Sequence, residues 1–157
     1  MKKFLSLFIL LFIITVNAQE RVLIKKSEIT IPIGKKIILK PEFQKNRIIN
    51  FELVSEENIT EKKDMFDMLK NFKRDETKDN SIELTFSESE MMGNSIFTLL
   101  TIQKTGKTMN FKAKIKLKST TIYQSTSIMP SSSNAASVEQ WRDNIDSIFL
   151  YDFELMN

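Results

Sequence analysis

Lys112, Lys114, Lys116 and Lys118 stand at alternate positions of one run. On a β-strand such residues share a face at a spacing of about 6.6 Å, so the four would form a basic ridge. A ridge of this kind can meet an anionic glycan, a lipid phosphate or an acidic partner protein. It is also a common way for an antiparallel sheet to keep its outer face wetted and its edge unpaired. Met91 and Met92 precede Gly93 in a polar stretch, where two adjacent large apolar side chains do not both turn inward, which marks that tip as a candidate contact site. Trp141, Tyr123 and Tyr151 join an aromatic body to a polar handle. Side chains of that type stack on sugar rings in carbohydrate-binding modules, and they equally anchor a chain tail across a fold.

The carboxylates carry less pattern. Glu56 with Glu57, and Glu88 with Glu90, are the pairs that could serve a two-carboxylate hydrolase, which needs its two groups about 5–10 Å apart across a cleft. No aspartate-rich calcium loop occurs. Asn58-Ile59-Thr60 has the form of a glycosylation acceptor and, equally, of a helix start.

The chain has 157 residues with no His and no Cys, and its three glycines are Gly34, Gly93 and Gly106. Those absences exclude Ser-His and Cys-His nucleophile pairs, thiolate and imidazole zinc sites, and disulfides. Glycine this scarce also leaves no phosphate-cradling loop of the GxxxxGK[ST] or GxGxxG kind. No cofactor is expected and no metal site is indicated.

Met1 to Ala18 has a basic start at Lys2-Lys3, an apolar run from Phe4 to Ile14 broken only by Ser6, and Val16-Asn17-Ala18 before a cut. This pattern predicts a cleaved secretory signal of bacterial type and a mature chain starting at Gln19 in the periplasm or outside the cell. The apolar run is about half of the roughly 20 residues needed to span a bilayer, and no later segment is long enough, so no transmembrane segment is expected in the mature chain. Removal of Lys2 and Lys3 takes 23 Lys and Arg against 20 Asp and Glu to a net charge of +1, too little for a nucleic-acid partner. Charge is uneven, because residues 119–157 hold one base, Arg142, against five acids. The two parts can therefore pack by charge complementarity.

The elements that must position these groups are mostly strands. Ile29, Ile31 and Ile33, then Ile37 to Leu39, read as two strands around a tight turn at Gly34, with Pro32 placing the first at a sheet edge or beside a bulge. A third strand covers Ile48 to Val54. Between Asn58 and Lys73 the spacing of Met65, Met68, Leu69 and Phe72 predicts the one helix, capped by Asn58 or Thr60, with a polar loop from Asp75 to Asn80 after it. Ile82, Leu84 and Phe86 alternate as a strand. Ile96 to Gln103 and Thr108 to Leu117 read as a β-hairpin closed by Lys104 to Lys107, with Met109, Phe111, Ala113, Ile115 and Leu117 inward and the lysines outward. Residues 119–137 form a Ser/Thr-rich crossing with a short strand near Thr121 to Ser127, and 138–157 a packing segment. In that segment Trp141 and Ile145 suggest a helical turn, while Phe149, Tyr151, Phe153 and Leu155 alternate on one strand face.

This pattern predicts an all-β fold: an antiparallel β-sandwich over 19–157, immunoglobulin-like in the broad sense, with one inserted helix. The alternative is an α+β sheet with one covering helix. By elimination, the functional expectation is an exported non-enzymatic binding domain that meets an envelope protein through a sheet edge, the helix or the Met91-Met92 loop. A carbohydrate-binding module using Trp141 and the tyrosines, and a small carboxylate-only hydrolase, are the alternatives; the first requires those rings exposed and coplanar on one face.

Overall fold

The computed structural model describes residues 20–70 and 78–156. The leader lies outside the described residues, as do Phe72 and the first part of the polar loop after the helix. Among the described residues, eleven strands and one helix follow in the order β1 (Leu23–Lys25), β2 (Glu28–Pro32), β3 (Lys35–Gln44), β4 (Arg47–Asn58), β5 (Lys63–Asp64), α1 (Met65–Lys70), β6 (Ile82–Met91), β7 (Asn94–Gln103), β8 (Thr108–Leu117), β9 (Tyr123–Thr126), β10 (Ala136–Trp141) and β11 (Ile145–Met156).

The strands form two layers. The first sheet runs β1-β2-β11-β8-β9 and the second β4-β3-β6-β7-β10. All pairings are antiparallel except β5 beside β6. The layers join at one corner, where Glu154 pairs with Arg47 and the Leu155 N–H donates to Asn46 O at 2.6 Å. Period-2 alternation turns Ile29 and Ile31, Leu84 and Phe86, and Met109 and Phe111 into one shared core with β3, β7 and β11. The Phe153 ring meets Phe51 edge-on at 4.9 Å and stacks on Phe111 at 5.1 Å, so one side chain ties three strands together. This is the antiparallel sandwich that the strand pattern predicts.

Four local expectations are corrected. β7 and β8 are both strands but do not form a hairpin with each other; β7 pairs with β6 and β10, and β8 with β11 and β9. The two-residue turn Met92-Gly93, with φ of 52° and 76°, matches strand twist and closes β6 onto β7. Gln103 instead shapes the crossing between sheets: its Nε2 donates to Lys107 O at 2.8 Å and its Oε1 accepts from the Thr105 N–H at 3.0 Å.

The two strands around the tight turn at Gly34 form as expected, β2 in the first sheet and β3 in the second. Gly34, at φ 80°, donates its N–H to Phe86 O and accepts from the Ile59 N–H, and a Cβ there would stand 3.2 Å from Ile59 O. Pro32 fits its strand because β1 begins at Leu23, opposite Thr30, so the ladder on that side stops short of Pro32 and demands no donor from it.

The helix starts at Met65, later than expected, and its cap is Asp64, whose Oδ1 accepts from the Phe66 and Asp67 N–H groups at 2.8 and 3.2 Å. Asn58 ends β4 instead, and residues 63–64 pair with β6 before the helix begins. After residue 135 there is no helical turn: Ala136–Trp141 is an edge strand that pairs with β7 along its whole length. In β11 the alternation slips at Asp152, which takes φ 58° within a bulge. Phe153 and Leu155 therefore face inward, while Phe149 and Tyr151 face out.

Candidate functional site

Lys112, Lys114 and Lys116 share the outer face of the first sheet, on β8 between β11 and β9, whereas Lys118 lies in the turn after the strand and does not extend the ridge. Its lysines are engaged by the acidic tail. The Lys112 ammonium lies 2.7 Å from Asp152 and that of Lys116 2.5 Å from Asp146. Hydrogen bonding and charge raise both lysine pKa values, and the Lys112 hydrogen bond lowers that of Asp152. The complementarity between the basic body and the acidic tail is thus realised strand against strand. Lys114, at the centre, has its ammonium 5.3 Å from the centroid of the Tyr151 ring.

Aromatic rings border that ridge. Phe149 and Tyr151 lie with centroids 5.3 Å apart and planes 17° apart, and Tyr123 meets Phe149 at 62°. Trp141 is not among them. It stands on the second sheet, edge-to-face on Phe86, and its Nε1 donates to Thr126 Oγ1 at 2.9 Å, which closes the β9 and β10 edges over the core. The three-ring platform of Trp141, Tyr123 and Tyr151 expected for a glycan module does not form. Phe149, which the sequence pattern put on one strand face with Tyr151, Phe153 and Leu155, takes the third place, and the missed signal is the extra residue at Asp152.

Met91 and Met92 occupy the far end of the β6–β7 hairpin. β3 pairs with β6 only from Ile82 to Phe86, so the rest of the hairpin extends beyond β3. The parallel register Asp64 to Glu90 brings the chain to the level of Met91 just as α1 begins. Met65 turns inward, whereas Phe66 is 45% exposed and Met92 81%. Two contact candidates that the sequence kept separate, the helix and the Met91-Met92 tip, thus arrive at one end of the molecule. Lys62 secures the arrangement: its ammonium lies 2.5 Å from Glu88, and the Ser95 hydroxyl also donates to Glu88. Both donors hold the Glu88 carboxyl below the usual carboxylate range.

On the outer face of the second sheet, beside the loop 57–64, lies a groove of about 1080 Å³ floored by Thr85, Ser87, Leu100 and Ile102. Five carboxylates line it: Glu83 is held by Lys36 at 3.2 Å, Asp64 by the helix backbone and Asp67 by Lys70 at 2.9 Å, and Glu57 and Glu61 stand on the loop side. Outside the groove, Glu56 binds the buried Lys35 ammonium at 2.6 Å, with Asn58 Oδ1 accepting from the same ammonium at 2.7 Å. Among the described residues no three acidic side chains converge on a possible metal position, and no helix is long and apolar enough to cross a membrane.

No family model, no curated protein and no solved structure matches this chain.

Proposed function

We propose that the protein is an exported, non-enzymatic interaction domain that meets a protein of the cell envelope through the β6–β7 tip and the start of α1. The exposure of Met92 and Phe66 on adjoining elements carries this reading. Large apolar side chains held out by a rigid hairpin and a capped helix, rimmed by the ion pairs Lys62–Glu88 and Lys70–Asp67, have the make-up of a protein contact: an apolar centre inside a polar border. Met adapts its shape to an irregular partner surface. Export rests on the leader, which predicts that the native protein starts at Gln19.

The test is a pull-down from native envelope extract with tagged mature protein, beside Met92→Ser/Phe66→Ser and Lys112→Gln/Lys114→Gln/Lys116→Gln variants. Recovery of one defined protein by the wild type and the lysine variant, falling at least about tenfold in the tip variant, is the expected result. Equal recovery by the tip variant would sink the assignment of the contact. Mass spectrometry of the native chain that found Met1 to Ala18 retained would remove the basis for export.

A further inference from the structure

We propose that the groove on the outer face of the second sheet is a binding site separate from the hairpin tip, for a linear polyamine, in which ammonium groups are joined by methylene segments. Its floor has two rows. On β6, Thr85 and Ser87 are only 5% and 3% exposed, and neither hydroxyl has a hydrogen-bond partner among the described residues. Buried polar groups are normally paired, so these two hydroxyls are left for an occupant of the groove to satisfy. Beside them on β7 the half-buried Leu100 and Ile102 form an apolar strip, Leu100 opposite Thr85 and Ile102 opposite Glu83. Asn134 also lines the groove, and its buried Oδ1 meets no donor.

Charge selects an occupant that donates. Of the lysines in the lining, Lys36 is taken by Glu83 and Lys62 by Glu88, and Lys104 is engaged as well. Glu57 and Glu61 have no ion-pair partner among the described residues, which leaves two acids against the one base Lys63. The loop that carries both acids is pinned in place, because the Ile59 N–H donates to Gly34 O at 2.8 Å and the Lys62 ammonium holds Glu88. A wall fixed before the ligand arrives loses little freedom on binding. An ammonium group has three donors and no acceptor, so it matches hydroxyl oxygens, an orphan amide oxygen and free carboxylates alike. The methylenes between two ammonium groups cover Leu100 and Ile102. Among the described residues no three acids converge, so the same wall does not suit a bare metal ion.

The experiment is a calorimetric titration of the mature chain with spermidine at low salt, with magnesium ion and trilysine as comparison probes. Spermidine is expected to bind, more weakly as salt rises, and not to be displaced by an equal concentration of magnesium. Glu57→Gln/Glu61→Gln, exposed changes that leave the core alone, should weaken it about tenfold. Thr85→Val, which keeps the shape and removes the hydroxyl, should weaken it up to about fivefold. Glu42→Gln/Glu52→Gln removes the same charge from exposed positions of β3 and β4 outside the groove and should leave binding unchanged. Met92→Ser should also leave it unchanged, which separates this site from the hairpin tip. No binding of spermidine, or binding indifferent to both the Glu57/Glu61 and Thr85 changes, would overturn the site. An equal loss in the two double variants, or displacement by equimolar magnesium, would overturn it too, by reducing the effect to general attraction of cations. Tighter binding of trilysine would overturn the ligand class and put a basic peptide in place of the polyamine.

Discussion

The two outer faces of this sandwich are built by the same alternation and end in opposite states. On the first sheet, Lys112, Lys114 and Lys116 point outward, meet Asp146, Asp152 and Tyr151 from neighbouring strands, and leave a flat face open. On the second, Ser89, Ile96 and Thr98 are buried although they alternate with core residues on β6 and β7. The residues between β4 and β6 make the difference, because β5 adds alongside β6 and α1 places Met65 inward there. Buried hydroxyls on that face satisfy each other, Ser89 with Thr98 at 2.8 Å. An outer face is thus polar through ion pairs where it is open, and through small hydroxyls where it is covered.

Equivalent truncations should separate the faces most strongly. Met65→Ala, under the covered face, is expected to cost about 2–3 kcal/mol in urea unfolding, whereas Tyr151→Ala on the open face should cost about 1 kcal/mol. Equal costs would mean that the first face is packed as tightly as the second.

Acid titration is the next sharper test, because Glu88 on one side and Asp152 on the other are both held below the ordinary carboxylate range, Glu88 by Lys62 and Ser95, Asp152 by Lys112. A depressed folded value stabilises the fold above the unfolded value of about 4, and that contribution disappears as pH falls through the folded value. The melting temperature should therefore hold down to about pH 4 and fall below it. Glu88→Gln should flatten the fall more than Asp152→Asn, since two donors converge on Glu88. A fall that neither change alters would place the acid-sensitive groups elsewhere.

The smallest effect belongs to the open ridge: Lys116→Gln is expected to change stability by less than about 0.5–1 kcal/mol, as exposed ion pairs do. A larger loss by denaturant titration would make the Lys116–Asp146 pair a structural element rather than a surface one.

Much of this was readable along the chain. Ile82, Leu84 and Phe86, and the inward set from Met109 to Ile115, declare their strands and their core face without help, since period-2 burial is a local property. The ridge lysines follow from the same rule. Partner choice was not readable: Lys104 to Lys107 looks like a hairpin turn, and only the competing pairing at Met92-Gly93 sends β7 and β8 to different sheets. The aromatic face was hidden by one residue, because a bulge at Asp152 reverses every side chain after it. The juxtaposition of Phe66 with the Met92 tip depends on a two-residue parallel pairing that has no periodic signature.

The amino-acid sequence by itself determined that the protein is built of amphipathic strands and that it lacks imidazole and thiol chemistry, because residue type and local period suffice for both. Which strands are neighbours, which rings face water and which loops share an end were decided by the tertiary structure, because these depend on hydrogen bonds and packing between residues far apart in the chain.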